Sequence, residues 1–218
     1  LLVQHGNRQE PLGEFFGVNG DASDGHIVLE GDMTRLKWIG ASMTRGQITV
    51  EGNIGTHLGS EMAGGRIVVH GNAGDWIGAE MRGGFIQVHG NAGHQAGAAY
   101  RGSRRGMRGG TILIHGSAGN EIGSTMRRGL IAIGGDAGDF AGVSMIAGSI
   151  FLFGSPGIRT GAGMKRAKLP KLLIRNTSQF SDDIIERCVR FAFRSATGHP
   201  GRLHDNYSRV AVDITNCS

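Results

Sequence analysis

The chain has 218 residues, enough for one sizeable domain with its own core, and its formal net charge is +5. Its 40 glycines stand against four prolines, far above ordinary Gly usage of about 7%, yet without the every-third-residue period of collagen. A hydrophobic content of 39%, gathered in regular clusters, excludes a disordered chain. The positive charge comes mainly from arginine, since only Lys37, Lys165, Lys168 and Lys171 are lysines, and arginine suits bidentate contacts to carboxylates and phosphates. Two cysteines, Cys188 and Cys217, make no disulfide framework and point to a reducing, cytoplasmic setting. No run approaches the ~18 apolar residues of a membrane helix, and the first residues, Leu-Leu-Val-Gln-His-Gly, have neither the charged region nor the apolar core of a signal peptide.

In chain order, the pattern is blurred up to Gly25. The stretch Gly13-Glu-Phe-Phe-Gly17 reads as a degenerate corner, which predicts a worn first coil over 11–30. A 19-residue register then carries Met43, Met62 and Met81, steps once by 26 residues to Met107, and continues through Met126, Met145 and Met164. A glycine stands three residues before most of these methionines (Gly40, Gly59, Gly78, Gly123, Gly142, Gly161) and another three after (Gly46, Gly65, Gly84, Gly110, Gly129, Gly148). The first clear coil carries two extra residues around Lys37-Trp38, and seven extra residues separate Gly97 from Met107. Each unit holds one short run, such as Ile67-Val-Val69, Ile86-Gln-Val88, Ile112-Leu-Ile114 or Ile150-Phe-Leu152, which predicts a short strand with one buried face. A second short strand is expected at positions such as Trp76-Ile77 and Glu121-Ile122.

Nineteen residues with Gly-rich corners cannot fold alone, but they form one coil of a solenoid that buries its apolar face by stacking on the next. The expected architecture is all-β: a single-stranded right-handed parallel β-helix of about seven coils, roughly 30 Å long at the usual strand spacing, spanning residues 1–168. Past Met164 the register fades and is expected to stop at Pro170, leaving 169–218 as a C-terminal cap. Within it Ser181 is a good N-cap, Asp182 and Asp183 suit the positive helix end, and Ile184, Ile185, Cys188, Val189 and Ala192 share one face. That predicts an amphipathic helix over 181–194 plugging the open end of the rod, with Val210–Ile214 as a candidate edge strand.

The methionine column is expected to point into the coil, where an unbranched thioether fills irregular space. The column Asp32, Asn53, Asn72, Asn91, Ser117, Asp136 and Ser155 is expected to be structural, bonding along the rod or to its own turns. His70, His89 and His115 share another column, but it continues as Glu30, Glu51, Gly134 and Phe153, and alternation turns His89 outward. A solvent- or interface-facing ladder therefore fits better than a metal site. Catalytic signatures are missing, so no catalytic, cofactor-binding or metal-binding residues are predicted, and Cys188 reads as core. The insertion carries Tyr100, Arg101, Arg104, Arg105 and Arg108, and Arg127 and Arg128 lie on the same edge. A loop projecting from a regular rod is where binding resides, so these seven residues form the candidate partner interface.

The segments Met107-Arg-Gly-Gly-Thr-Ile-Leu-Ile-His-Gly-Ser-Ala-Gly119, Gly138-Asp-Phe-Ala-Gly-Val-Ser-Met-Ile-Ala-Gly148 and Gly157-Ile-Arg-Thr-Gly-Ala-Gly-Met164 resemble the C subunit of formylmethanofuran dehydrogenase and the matching subunit of the formyltransferase/hydrolase complex. The likeness covers about residues 20–168; beyond Leu169 the chain departs from that family's Arg- and aromatic-rich ending. A looser resemblance extends to the GXGXG-type C-terminal domain of glutamate synthase large subunits. The first resemblance implies a structural subunit in one-carbon, formyl-group metabolism, partnered by sister subunits that carry the chemistry. It implies that a molybdenum or tungsten pterin, zinc or a methanofuran-type carrier resides on those sisters rather than on this chain. The alternatives are a glutamate synthase-type domain and a polyanion-binding solenoid whose binding falls steeply with salt; no membrane role is expected, and nucleic acid is the less favoured partner.

Overall fold

A computed structural model describes residues 2–21, 23–164 and 170–174. The expected helix at 181–194, both cysteines and the candidate edge strand at 210–214 lie outside the described residues. At the N-terminus β1 (Leu2–His5) and β2 (Arg8–Pro11) pair antiparallel, and a 3-10 turn at Leu12–Glu14 follows. The chain enters the repeat at β3 (His26–Glu30). Stacked on it in chain order are β4 (Gln47–Glu51), β5 (Arg66–Val69), β6 (Phe85–Val88), β7 (Arg108–Ile114), β8 (Arg128–Ile133), β9 (Gly148–Leu152) and β10 (Pro170–Ile174). All eight pair in parallel in one sheet, forming a β-solenoid. Seven strand spacings give it a length of roughly 34 Å.

Register follows the repeat. Gln47 pairs with Arg66 and Arg66 with Phe85, while the long step aligns Phe85 with Thr111. The sequence places the end of the 19-residue register at Pro170; stacking goes on past it by a longer step, with Pro170 opening β10 opposite Gly148. Proline is tolerated there because it is the first residue of a strand at the sheet's edge.

The second strand does not form where it was expected. Trp76 and Glu121 sit in turns with φ of 64° and 60°, and the second line of pairing is a row of single-residue bridges at Met33, Ile54, Ala73, Ala92, Ala118 and Ala137. The physical reason is the corner. Trp76, Gly78 and Glu80 all have positive φ, at 64°, 57° and 53°, and two β-turns close as Ala79 N–H donates to Trp76 O (3.3 Å) and Met81 N–H to Gly78 O (3.1 Å). The intervening N–H groups point along the rod. Trp76 donates to His94 O (2.8 Å) and Glu80 to Ala98 O (3.1 Å) in one neighbouring coil, while Gly78 donates to Leu58 O (2.8 Å) in the other. Left-handed backbone costs a non-glycine residue about 1–2 kcal/mol, and one net hydrogen bond returns about 0.5–1.5 kcal/mol. An isolated corner would therefore be at best neutral; it is viable because both neighbouring coils are present.

Inside, each of the five coils between Ile48 and Met145 contributes five apolar side chains, as Ile67, Val69, Ala73, Ile77 and Met81 do for one of them, and all five are buried. The methionine column points inward as expected: Met62, Met81, Met107, Met126 and Met145 are fully buried, and Met43 and Met164 pack against the same core. Outward positions on the late strands are also buried, with Leu113 1% and Phe151 3% exposed, whereas Val28 in the same column of β3 is 49% exposed.

The polar column ties coils together, though not amide to amide. Asn72 N–H donates to Asn53 Oδ1 (2.8 Å), Asn91 N–H to Asn72 Oδ1 (2.7 Å) and Ser117 N–H to Asn91 Oδ1 (2.8 Å). A second such ladder, missed in the sequence, runs through Asp75, His94, Asn120 and Asp139, with His94 Nδ1 accepting from Asn120 N–H at 2.9 Å.

Gly78 shows why the corner glycine recurs. A Cβ there would lie 2.5 Å from Ile112 Cδ1, so the glycine leaves the socket that the isoleucine two coils on fills. Gly78→Ala should cost about 2–5 kcal/mol, adding left-handed strain to overpacking. Gly102→Ala, with φ of 85° but nothing within 4 Å, should cost only the strain, about 1–2 kcal/mol. Denaturant unfolding of both variants checks this; equal losses would mean that the isoleucine contact is unimportant.

Candidate partner interface

The insertion leaves the rod at Gly97 and returns at Met107, whose N–H donates to Gly97 O at 2.9 Å. Its shoulders are held by the following coil, with Ala99 N–H on Ser124 O (3.2 Å) and Gly106 N–H on Thr125 O (3.3 Å). At its tip Ser103 N–H donates to Tyr100 O (2.9 Å), closing a turn in which Gly102 supplies the positive φ of 85°. The expected projecting loop is therefore a short, pinned turn.

Tyr100 explains the direction in which it lies. Its hydroxyl donates to Ser60 Oγ (2.8 Å) and lies 3.2 Å from His57 Nδ1, two coils back along the rod. Its backbone N–H donates to Glu80 Oε1 at 3.2 Å. Half-buried Tyr100 is thus used internally, and only part of its ring is left for a partner. Burial raises its phenol above the ordinary value, against the bond with Ser60 that lowers it.

The arginines divide in the same way. Arg101, Arg104, Arg105, Arg127 and Arg128 are exposed, whereas Arg108 is half-buried and its Nε is enclosed with no hydrogen-bond partner. Arg108 and Arg128 face one another in the β7–β8 register, where a bulge interrupts the pairing. Like charges directly opposite are unfavourable, so this edge holds uncompensated positive charge. Arg127 Nε donates to Arg104 O (3.3 Å), bracing the loop from the next coil. The one arginine–carboxylate pair among the described residues is Arg82–Glu61, at 2.8 Å.

Beside the loop lies a strip that sequence reasoning missed. Trp38 stacks on His57 with centroids 4.2 Å apart and planes 4° from parallel, and His57 is followed by Trp76 at 6.2 Å and 11°. Tyr100 closes against Trp76 (5.1 Å) and Trp38 (6.0 Å). The signal was present: Trp38, His57 and Trp76 are 19 residues apart, the same spacing that reveals the methionines. The column continues with Gln95 donating to Glu121 (2.9 Å) and Arg159 over the Phe140 ring (5.6 Å).

The histidine column is outward and stacked as expected. His70–His89 and His89–His115 centroids are 5.1 and 4.7 Å apart, with Glu51 3.7 Å from His70 and Gln87 Nε2 3.0 Å from His115 Nε2. Among the described residues no three His, Cys, Asp or Glu side chains gather as a metal-holding group. A shallow, open depression is lined by Asp75, His94, Gln95, Asn120 and Glu121, but it is built from the second ladder and the Gln95–Glu121 bond already described. No described helix is long and apolar enough to cross a membrane.

No protein-family model matches the sequence. Among solved structures, the chain is similar to one in the crystal structure of the formyltransferase/hydrolase complex (FhcABCD) from Methylorubrum extorquens in complex with methylofuran. The identity is 34% over 90% of this chain and 76% of that one, with a TM-score of 0.73. This chain belongs to the family of C subunits of formyltransferase/hydrolase complexes and formylmethanofuran dehydrogenases. Curated family members are similar over a shorter stretch. The C subunit of tungsten-containing formylmethanofuran dehydrogenase 2 from Methanothermobacter thermautotrophicus is 45% identical over 62 residues, 27% of this chain and 23% of that protein. Its counterpart in the molybdenum-containing dehydrogenase 1 of Methanosarcina barkeri is 44% identical over 62 residues, again 27% of this chain and 21% of its own length. The C subunit of the Fhc complex of Methylorubrum extorquens is 41% identical over 58 residues, 27% and 22% of the two chains. The matched stretch thus spans less than a quarter of each of these curated relatives.

His57 gives the aromatic strip a pH signature. Burial, then the Lys37 charge, hold its imidazole below the ordinary histidine value of 6.5, with Asp75 pulling the other way. His57 is therefore harder to protonate in the folded chain than in the unfolded one. Its contribution is complete above the unfolded value and falls as pH drops through it. Replacing His57 with Phe keeps a stacking ring that cannot titrate. That variant should lose less Tm than the parent between about pH 7.5 and about pH 5.5; the same loss in both would contradict the assignment.

Proposed function

We propose that this chain is a non-catalytic scaffold of a one-carbon complex that handles formyl groups, docking sister subunits through its arginine-rich edge, in the cytoplasm. The observation that carries the reading is the likeness over three-quarters of a chain from a multisubunit formyltransferase/hydrolase complex. The physical case is consistent with it. The rod's interior is filled by stacked apolar side chains, and its polar columns are spent on bonds between coils. What remains on offer is surface: Arg101, Arg104, Arg105, Arg127 and Arg128, with the Tyr100 ring beside them and Arg108 at its base. Arginine at such an edge suits carboxylates on a protein partner. On this reading any molybdenum or tungsten pterin, zinc or methanofuran-type carrier is held by the sisters.

A second reading draws on the facing Arg108 and Arg128, whose charge would also suit a polyanion. The two separate by experiment. The chain should co-purify from native extract with sister subunits, and Arg104→Glu with Arg105→Glu should weaken that association by about tenfold or more, most strongly at low salt. A chain that runs alone in extract, or a complex that assembles and turns over equally well without it, would contradict the scaffold reading.

A further inference from the structure

We propose that the Trp38–His57–Trp76 strip is the apolar centre of the docking surface whose charged rim is the arginine loop, and that its occupant is a sister-subunit surface with an apolar knob bordered by carboxylates. The inference rests on the scaffold reading and adds to it the anchor and the chemistry of the partner.

Three observations carry it. The strip is accessible: Trp38 is 50% exposed although it stacks flat on His57 at 4.2 Å, and Trp76 is only partly buried. A large indole left half in water at the head of a stack suits later coverage, and Trp, Tyr and Arg are the residue types that dominate binding energy at protein interfaces. The strip adjoins the charge, because Tyr100 contacts both tryptophans and Arg101 follows it directly. The rim is unpaired, since Arg82–Glu61 is the one arginine–carboxylate pair among the described residues, leaving Arg101, Arg104 and Arg105 without an ionic partner there. Charge complementarity therefore selects a partner with carboxylates on the loop side.

Tyr100 is a positioning residue in this arrangement. Its bonds to Ser60 and Glu80 hold the loop against the strip, so the surface is formed before the partner arrives and less ordering is needed on binding.

The test uses the full chain and its purified sister subunits. Trp38→Ala should weaken association by at least about tenfold, Trp38→Phe should retain most of it, and Phe140→Ala, farther along the same column, should leave it unchanged. Should Trp38→Ala fail to fold, a Trp76→Phe chain labelled with 5-hydroxytryptophan, excited beyond the absorption of the sisters' ordinary tryptophans, isolates Trp38 fluorescence. Its emission should shift to the blue and become protected from acrylamide when the sisters are added. If Trp38→Ala binds as the parent does while Arg104→Glu weakens binding, or if Trp38 stays open to quencher in the complex, the strip is only an internal clasp and the inference falls. If the parent chain binds no sister subunit, the scaffold reading falls and this inference with it.

Discussion

Backbone hydrogen bonds between coils are what the rest of the structure depends on. In an ordinary sheet only the strands exchange such bonds; here the corners do too. Trp76, Gly78 and Glu80 send their N–H groups alternately to the coil on one side and the coil on the other. That alternation requires positive φ at residues where glycine is usually needed, and twelve non-glycine residues among those described adopt it. Their strain is tolerable because each coil completes its neighbours, so stability accumulates by stacking and a lone coil has none to spare.

The same constraint decides the chemistry available. A coil so narrow that Gly78 must omit its Cβ to admit Ile112 is filled, among the described residues, by its own stacked side chains. Asn72, Asn91, Asp75 and Asp139, which could serve as ligands or bases elsewhere, accept backbone N–H groups from the adjacent coil. On the scaffold reading proposed above, function sits where the repeat is interrupted. The 26-residue step places Tyr100 and its arginines outside the coil, and the closing bond from Met107 to Gly97 lets the rod continue beneath them undisturbed. The side-chain columns on the outside then become available surfaces, the aromatic one beside the loop above all.

Much of this was legible in the sequence. The methionine period fixed the stacking, and the alternation in Ile86-Gln87-Val88 told inside from outside, so that buried Met81 and exposed His89 lie as expected. The corners were harder. Trp76-Ile77 resembles a strand fragment in composition, and nothing in the identity of Trp, Gln or Glu announces left-handed backbone; only contact with the next coil makes it tenable. At Pro170 the 19-residue step is lost, as the sequence suggests, but the strand that still forms there was not legible, because its edge position is what tolerates the proline. The aromatic strip was readable in principle from the spacing of Trp38, His57 and Trp76, but their different residue types hid the column. Tyr100's reach across two coils to Ser60 depends on the loop's path and has no local signature.

Amide hydrogen exchange tests the central claim most directly. If the corners are bonded from coil to coil, the amides of Trp76, Gly78 and Glu80 should be protected to the same degree as those of Ile86 and Val88 in β6, all opening in one cooperative unit. Strand amides that are protected while these corner amides exchange as freely as those of exposed turns would contradict it, leaving a sheet whose coils are not closed by their neighbours.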